Sequence, residues 1–188
     1  MATAPTTAAD RGLTAEAFAR RPDPGYPEEL VEGRVVAMSP PGARHGVICN
    51  RVGMIVGVFA DERDLGRVLT NDSGVITRRS PDTVRGADVA YYSYAKLPKG
   101  PLPVGYPEVA PDLVVEVRSP GDRWPEVLVK VGEYLGAGVG AVVVLDGEAT
   151  TAQVFEPEGA VRLLGAADLL ELPGVLPGFR VEVRRFFG

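Results

Sequence analysis

Pro111-Asp112-Leu113-Val114-Val115-Glu116-Val117-Arg118-Ser119-Pro120 is the stretch on which the reading of this chain turns. Leu113 to Val117 has the apolar, Val-rich composition of a central β-strand, and Ser119-Pro120-Gly121 ends it. Side chains alternate along a strand, so Leu113, Val115 and Val117 face one way while Val114, Glu116 and Arg118 face the other. A carboxylate in the middle of such a strand is expensive to bury unless it is paired or bound to a cation. Glu116 therefore needs a partner. Arg118, another arginine or a metal ion would each serve.

Downstream, Asp122 can cap a helix running to about Gly136, with Pro125 tolerated in its first turn and Gly138 closing it. Val127, Leu128, Val131, Tyr134 and Leu135 form its apolar stripe. At roughly 100° per residue Lys130 falls at the edge of that stripe, beside Val127 and Tyr134, and could point along the sheet towards Glu116. Taken alone, Lys130 is better read as the partner of Glu126, which stands four residues N-terminal to it in the favourable order for an exposed helix pair. Gly140 to Leu145 then reads as a fully buried strand.

Upstream, Ala87 to Ser93 alternates as a strand opened by Asp88, a residue that by itself could equally belong to a turn. Arg67 to Thr70 and Gly74 to Thr77 are two further strand-like runs, and Lys96 to Pro111 is a Pro- and Gly-rich loop. From His45 to about Glu62 the spacing of Ile48, Val52, Ile55 and Phe59 predicts an amphipathic helix. The lone histidine, His45, lies on the apolar side of that helix start, a place more often held by a hydrogen-bonded core residue than by a catalyst; Cys49 reads as a small buried residue. At the N-terminal end Thr14 caps a short helix to about Arg20, stopped by Pro22, Pro24 and Pro27. Leu30-Val31 and Val35-Val36 flank a hairpin turn at Glu32-Gly33. Short strands at Ala152 to Phe155 and Arg180 to Val183 finish the chain. Interleaved helices and buried strands favour an α/β sandwich over an all-β barrel.

Composition bounds the function. The 188 residues are 45% hydrophobic, enough for one core, so a tail over 1–12 and a single domain over 13–188 is the simplest division. Residues 1–10 lack the basic and apolar regions of a secretion signal, and no apolar run is long enough to cross a bilayer, which points away from a membrane. A lone cysteine allows neither an intrachain disulfide nor a Cys-rich zinc cage and fits a reducing cytoplasm. The net charge of −5 counts against a broad nucleic-acid surface but leaves room for a local basic cleft. Among the 20 basic residues only Lys96, Lys99 and Lys130 are lysines, so the placing of each is informative.

Asp88-Val-Ala-Tyr-Tyr-Ser93, Pro111 to Pro120, Asp122-Arg123, Lys130 to Tyr134 and Gly138-Val139 together resemble the Uma family of restriction-endonuclease-like proteins. The likeness extends to Glu29-Leu-Val-Glu-Gly33, to Met38-Ser-Pro-Pro41 with His45, and to Leu176-Pro-Gly-Phe179, and so covers nearly the whole chain after residue 12. It implies an α/β restriction-endonuclease-like fold, a four- or five-stranded mixed sheet flanked by helices, here with an N-terminal helix and hairpin. The family's first acid falls on Asp88, its second on Glu116 and its lysine on Lys130; Glu29 and His45 also match recurring positions. In nucleases of this fold the lysine usually stands two residues after the second acid, a slot held here by Arg118, so the lysine is relocated to the helix. The proline often found before the first acid is replaced by Ala87.

The implied chemistry is coherent. Mg²⁺ (or Mn²⁺) prefers hard oxygen ligands and can be held by one or two carboxylates, so Asp88 and Glu116 become the expected metal ligands, with the Val117 carbonyl as a third. Lys130 would orient a water or offset charge on a phosphate. Arg118 stays protonated and can steady a phosphate but not act as a base, and Glu29 and His45 would support the site. Arg78, Arg79, Arg85, Arg118 and Arg123 are the arginines near it in sequence. The resulting expectation is a Mg²⁺-dependent endonuclease acting on DNA, working as a homodimer because symmetric cleavage of a duplex needs two sites. The alternative is a catalytically silent binding module on the same fold, with the carboxylates in structural ion pairs and Tyr91, Tyr92 and Tyr94 serving an interface.

Overall fold

The structure, a computed structural model, describes residues 12–188; the expected tail lies, but for Gly12, outside them. Thr14 caps α1 (Ala15–Ala19), its hydroxyl accepting the Ala17 N–H at 3.2 Å. The hairpin β1 (Glu28–Val31) and β2 (Arg34–Ala37) turns through Glu32 at φ 51° and Gly33 at φ 75°. Consecutive left-handed residues match the natural twist of a two-residue hairpin. A side chain at Gly33 would also collide with the backbone of Gly12, whose Cα would lie 2.9 Å from the added carbon.

α2 (Ala43–Glu62) lays its apolar face on the sheet, although the fully buried residues are Ile48, Val52, Val56 and Ala60. Ile55 and Phe59, expected at the centre of that face, pack at its edge. The two strand-like runs at 67–70 and 74–77 are one strand, β3 (Gly66–Arg78), interrupted by a bulge. The bulge is Asn71-Asp72, at φ 64° and 54°, residues with short polar side chains that tolerate the left-handed region. β4 (Thr83–Ser93) begins four residues before the expected Ala87, so Asp88 sits mid-strand. The alternative of a turn at Asp88 is excluded, since Thr83 to Gly86 before it already pair with β3.

β5 (Leu113–Arg118), α3 (Trp124–Gly136) and β6 (Ala141–Asp146) form a parallel crossover unit. Asp122 does not cap α3, whose N-cap is Arg123; its carboxylate instead accepts the Ser119 N–H at 2.7 Å and tightens the turn after β5. β7 (Thr151–Phe155) and β8 (Arg162–Leu164) extend the sheet, while β9 (Leu169–Glu171) and β10 (Arg180–Glu182) make a separate ribbon leading into a short 3-10 turn at Val183–Phe186.

Among the described residues the main sheet has eight strands, ordered β2-β1-β4-β5-β6-β7-β8 with β3 also paired to β4. It is mixed, as expected, but larger than the four or five strands implied by the resemblance, because the hairpin and β8 join its edges. Leu113, Val115 and Val117 meet α2 and the C-terminal ribbon, whereas Val114 meets α3, so the alternation read along β5 holds.

One topological detail opens the site. With β3 along one edge of β4, β1 and β5 must share the other. β1 pairs there only at Leu30↔Val84, and β5 pairs only from Val89↔Val115 to Tyr91↔Leu113. Among the described residues that edge has no strand neighbour between Val84 and Val89. The sheet forks.

Candidate active site in the fork of the sheet

A fork leaves ladder groups without strand partners, and buried backbone N–H groups must find substitutes. Two carboxylates supply them. Glu29 on β1 accepts the Gly86 N–H at 3.2 Å, and Asp88 on β4 accepts the Val117 N–H at 2.7 Å. Asp88 and Glu116 are the next residues in register after Val89↔Val115, at the point where the strands part.

Glu116 projects to the α3 side and accepts the Tyr134 hydroxyl at 2.8 Å. It is in no ion pair among the described residues, and the expected structural alternative, a bridge to Arg118, is not formed. Arg118 instead binds Asp146 at 2.8 Å and lies over Trp124. Burial pushes the Glu116 carboxyl up to about 8 and the Asp88 charge adds to the effect, while Lys130 and the Tyr134 hydroxyl act against it. This side chain carries its charge reluctantly until a cation comes near.

Lys130 reaches Glu29 Oε1 at 2.8 Å rather than Glu126, which pairs with Arg123. The helix spacing suggested the local pair, but a carboxylate as buried as Glu29, 4% exposed, demands cations and takes the better-desolvated lysine. Burial acts to lower the Lys130 ammonium, yet Glu116 and Glu29 outweigh it and the net shift is upward, so the lysine stays charged. Glu29 also accepts from Arg85 at 2.8 Å, and Arg85 holds Glu133 through two nitrogens at 2.5 and 2.9 Å. Glu29, Arg85, Glu133 and Lys130 thus form a balanced lattice of two carboxylates and two cations beside Glu116.

On the α2 side, His45 is not a core histidine. Its Nε2 stands 3.3 Å from Asp88 Oδ2 and its Nδ1 3.3 Å from Cys49 Sγ. The hydrogen bond to Asp88 raises the His45 imidazole, opposed by burial. Burial pushes the half-buried Cys49 thiol up, so it stays protonated. Ligand atoms of His45, Cys49 and Asp88 lie within 4.8 Å of one another, but the histidine presents opposite nitrogens to its two neighbours. One ring cannot aim both at a single ion, so the trio is a hydrogen-bond chain that orients Asp88.

Three contributors escaped the sequence reading. Asp72, on the bulge facing Asp88, has its carboxyl raised by burial and then by Asp88; the Asn-Asp pair between two apolar runs was the available signal. Tyr134 looked only like part of an apolar stripe, and Arg85 only like a nearby arginine. Glu29, His45, Asp72, Asp88, Glu116 and Lys130 line one cleft of about 620 Å³. A hollow of about 320 Å³, walled by Val36, Met38, Val127 and Val129, adjoins it at Glu116 and Lys130.

Comparison with known proteins agrees with this architecture. The Uma2 family, described as "Putative restriction endonuclease", matches residues 15–184. A solved structure described as "a putative nuclease belonging to DUF820", from Anabaena variabilis, superposes with a TM-score of 0.77 at 17% identity, covering 93% of this chain and 97% of that one. No curated protein matches the chain. Among the described residues no helix is long and apolar enough to cross a membrane.

Proposed function

The chain belongs to the Uma2 family of restriction-endonuclease-like proteins, and from that premise we propose that it is a divalent-metal-dependent endonuclease hydrolysing phosphodiester bonds of DNA. The observation that carries the reading is the meeting of Asp88, Glu116 and Lys130, from β4, β5 and α3, at the fork of the sheet.

The donor set suits Mg²⁺ or Mn²⁺. Both candidate ligands offer hard oxygens, and each has one oxygen engaged, Asp88 Oδ2 and Glu116 Oε1, leaving the other without a protein partner among the described residues. Glu116 is the more telling: a carboxylate buried beside a like charge and in no ion pair among the described residues, with Lys130 offsetting that only in part, is suited to a site that a cation completes. When bound, the ion would acidify a water and neutralise charge on the scissile phosphate.

The chain's own groups do the rest. The Val117 N–H and His45 fix the rotamer of Asp88, and the Tyr134 hydroxyl fixes that of Glu116. Lys130, held charged by Glu29 and Glu116, offers its ammonium to the phosphate oxygens as negative charge builds on them. Arg85 satisfies Glu29, so that Lys130 is shared and not sequestered. Arg118 secures the end of β5 through Asp146, which makes it a positioning residue for Glu116. Residues 13–188 act in this reading as one domain in the cytoplasm, and two copies would be needed to cut both strands of a duplex.

The test is nicking of plasmid and cleavage of single-stranded DNA at low salt with Mg²⁺ or Mn²⁺. Wild type should cleave, and Lys130→Met should abolish cleavage while leaving the fold intact. Purified wild type that cleaves neither substrate would refute the nuclease reading in favour of a binding module.

A further inference from the structure

A phosphodiester must be held by cations, yet almost every basic group near the cleft is already engaged. Arg85 is bound to Glu29 and Glu133, Arg118 to Asp146, and Lys130 to Glu29. The arginines farther out that the sequence offered for phosphate binding are engaged too: Arg78 with Glu32, Arg79 with Glu16, Asp82 and Glu108, and Arg123 with Glu126.

Arg44 is the exception. It lines the same cleft, is exposed, and is in no ion pair among the described residues. It directly precedes His45, whose ring touches Asp88, so its stem starts beside the carboxylates. Its path is set by Gly147 after β6: a Cβ there would lie 3.6 Å from Arg44 Nε and 4.0 Å from Cδ, so the stem runs over a residue with no side chain. The guanidinium therefore hangs at the cleft wall between α2 and the β6–β7 turn, exposed and in ion-pair range of no acid among the described residues.

We propose that Arg44 binds a second phosphate in the cleft, the one next to that which Asp88, Glu116 and Lys130 address. The proposal rests on the nuclease reading and deepens it. With the neighbouring cations internally neutralised, the footprint on the nucleic acid is narrow and held at few phosphates. Affinity should accordingly depend only weakly on salt, because each neutralised phosphate contributes a slope of about 0.7 for a single strand.

The experiment measures binding of a short labelled single-stranded oligonucleotide by fluorescence anisotropy across a salt series, using Asp88→Asn protein with Ca²⁺ so that nothing is cleaved. Adding Arg44→Gln should weaken binding about tenfold and reduce the salt slope by about 0.7. Arg44→Lys should keep most of the affinity, since a point charge still meets a phosphate. Arg51→Gln, an exposed change further along α2, should do nothing, and none of the three should move the melting temperature. In the active protein Arg44→Gln should raise KM and leave kcat within about twofold. Unchanged affinity and salt slope in Arg44→Gln, with binding otherwise intact, would overturn the assignment while the nuclease reading stood. No nucleic-acid binding by any protein in the series, together with no cleavage by wild type, would remove both.

Discussion

Replacing Glu116 with glutamine isolates the electrostatic strain of the fork. The amide keeps the shape of the carboxylate and can still accept the Tyr134 hydroxyl, but it carries no charge. In the folded protein the Glu116 carboxyl is raised from 4.5 to about 8, first by burial and then by Asp88. Between those values the unfolded chain has released its proton while the folded one keeps it, so stability must fall as pH rises through that window. At pH 7 the gap is worth about 3 kcal/mol at most, and screening by water in the cleft brings it to roughly 2 kcal/mol. His45 and Asp72, both raised, tilt stability the same way: the histidine's contribution is present below 6.5 and lost as pH passes its raised value, and Asp72 loses stability above 3.8. Asp72 is raised without help from Glu116, and Glu116 comes last among the causes that raise His45, so the difference between the two proteins reports chiefly Glu116. Urea unfolding in EDTA from pH 5 to 8 is the assay. Wild type should lose stability with pH more steeply than Glu116→Gln, and at pH 8 the variant should be the more stable protein, melting about 4–8 °C higher. Parallel slopes, or a variant weaker than wild type at pH 8, would mean that Glu116 is not strained and that the case for an incoming cation fails.

Mn²⁺ should raise the melting temperature of wild type but not of Asp88→Ala or Glu116→Ala, because only a native-state site gives linkage stabilisation; equal shifts in all three would place the ion elsewhere. Lys130→Met should cost about 1–3 kcal/mol in urea unfolding, more than an exposed helix pair would, because it strips one of two cations from buried Glu29; a cost near zero would contradict the Glu29 pairing. Tyr134→Phe should cost about 1 kcal/mol and weaken Mn²⁺ binding at neutral pH, since losing the hydroxyl moves the Glu116 carboxyl still higher; unchanged calorimetric affinity would show that the tyrosine only fills space.

Most of the local elements, and the candidate site residues Asp88, Glu116 and Lys130, were legible in the sequence. Valine-rich runs with period two and apolar stripes with period 3.6 report which face of β5, α2 and α3 is buried, because burial is a property of the element's own pattern. A glutamate inside Leu113–Val117 announces an unusual environment for the same reason. Residues without such a pattern are silent: Asn71-Asp72 separates two strand-like runs in the sequence, yet in the sheet it is a bulge within one strand, opposite Asp88. The partners of each charge were decided only by the tertiary structure. Lys130 has Glu126 one helical turn away and Glu29 a hundred and one positions away in sequence, and it chooses the distant one. Arg118 stands two residues from Glu116 and turns instead to Asp146. In water, proximity along the chain would settle such choices. In the fork it is the buried carboxylate, unable to hold its charge without a cation, that selects the partner, and where the strands part is a property of the whole sheet.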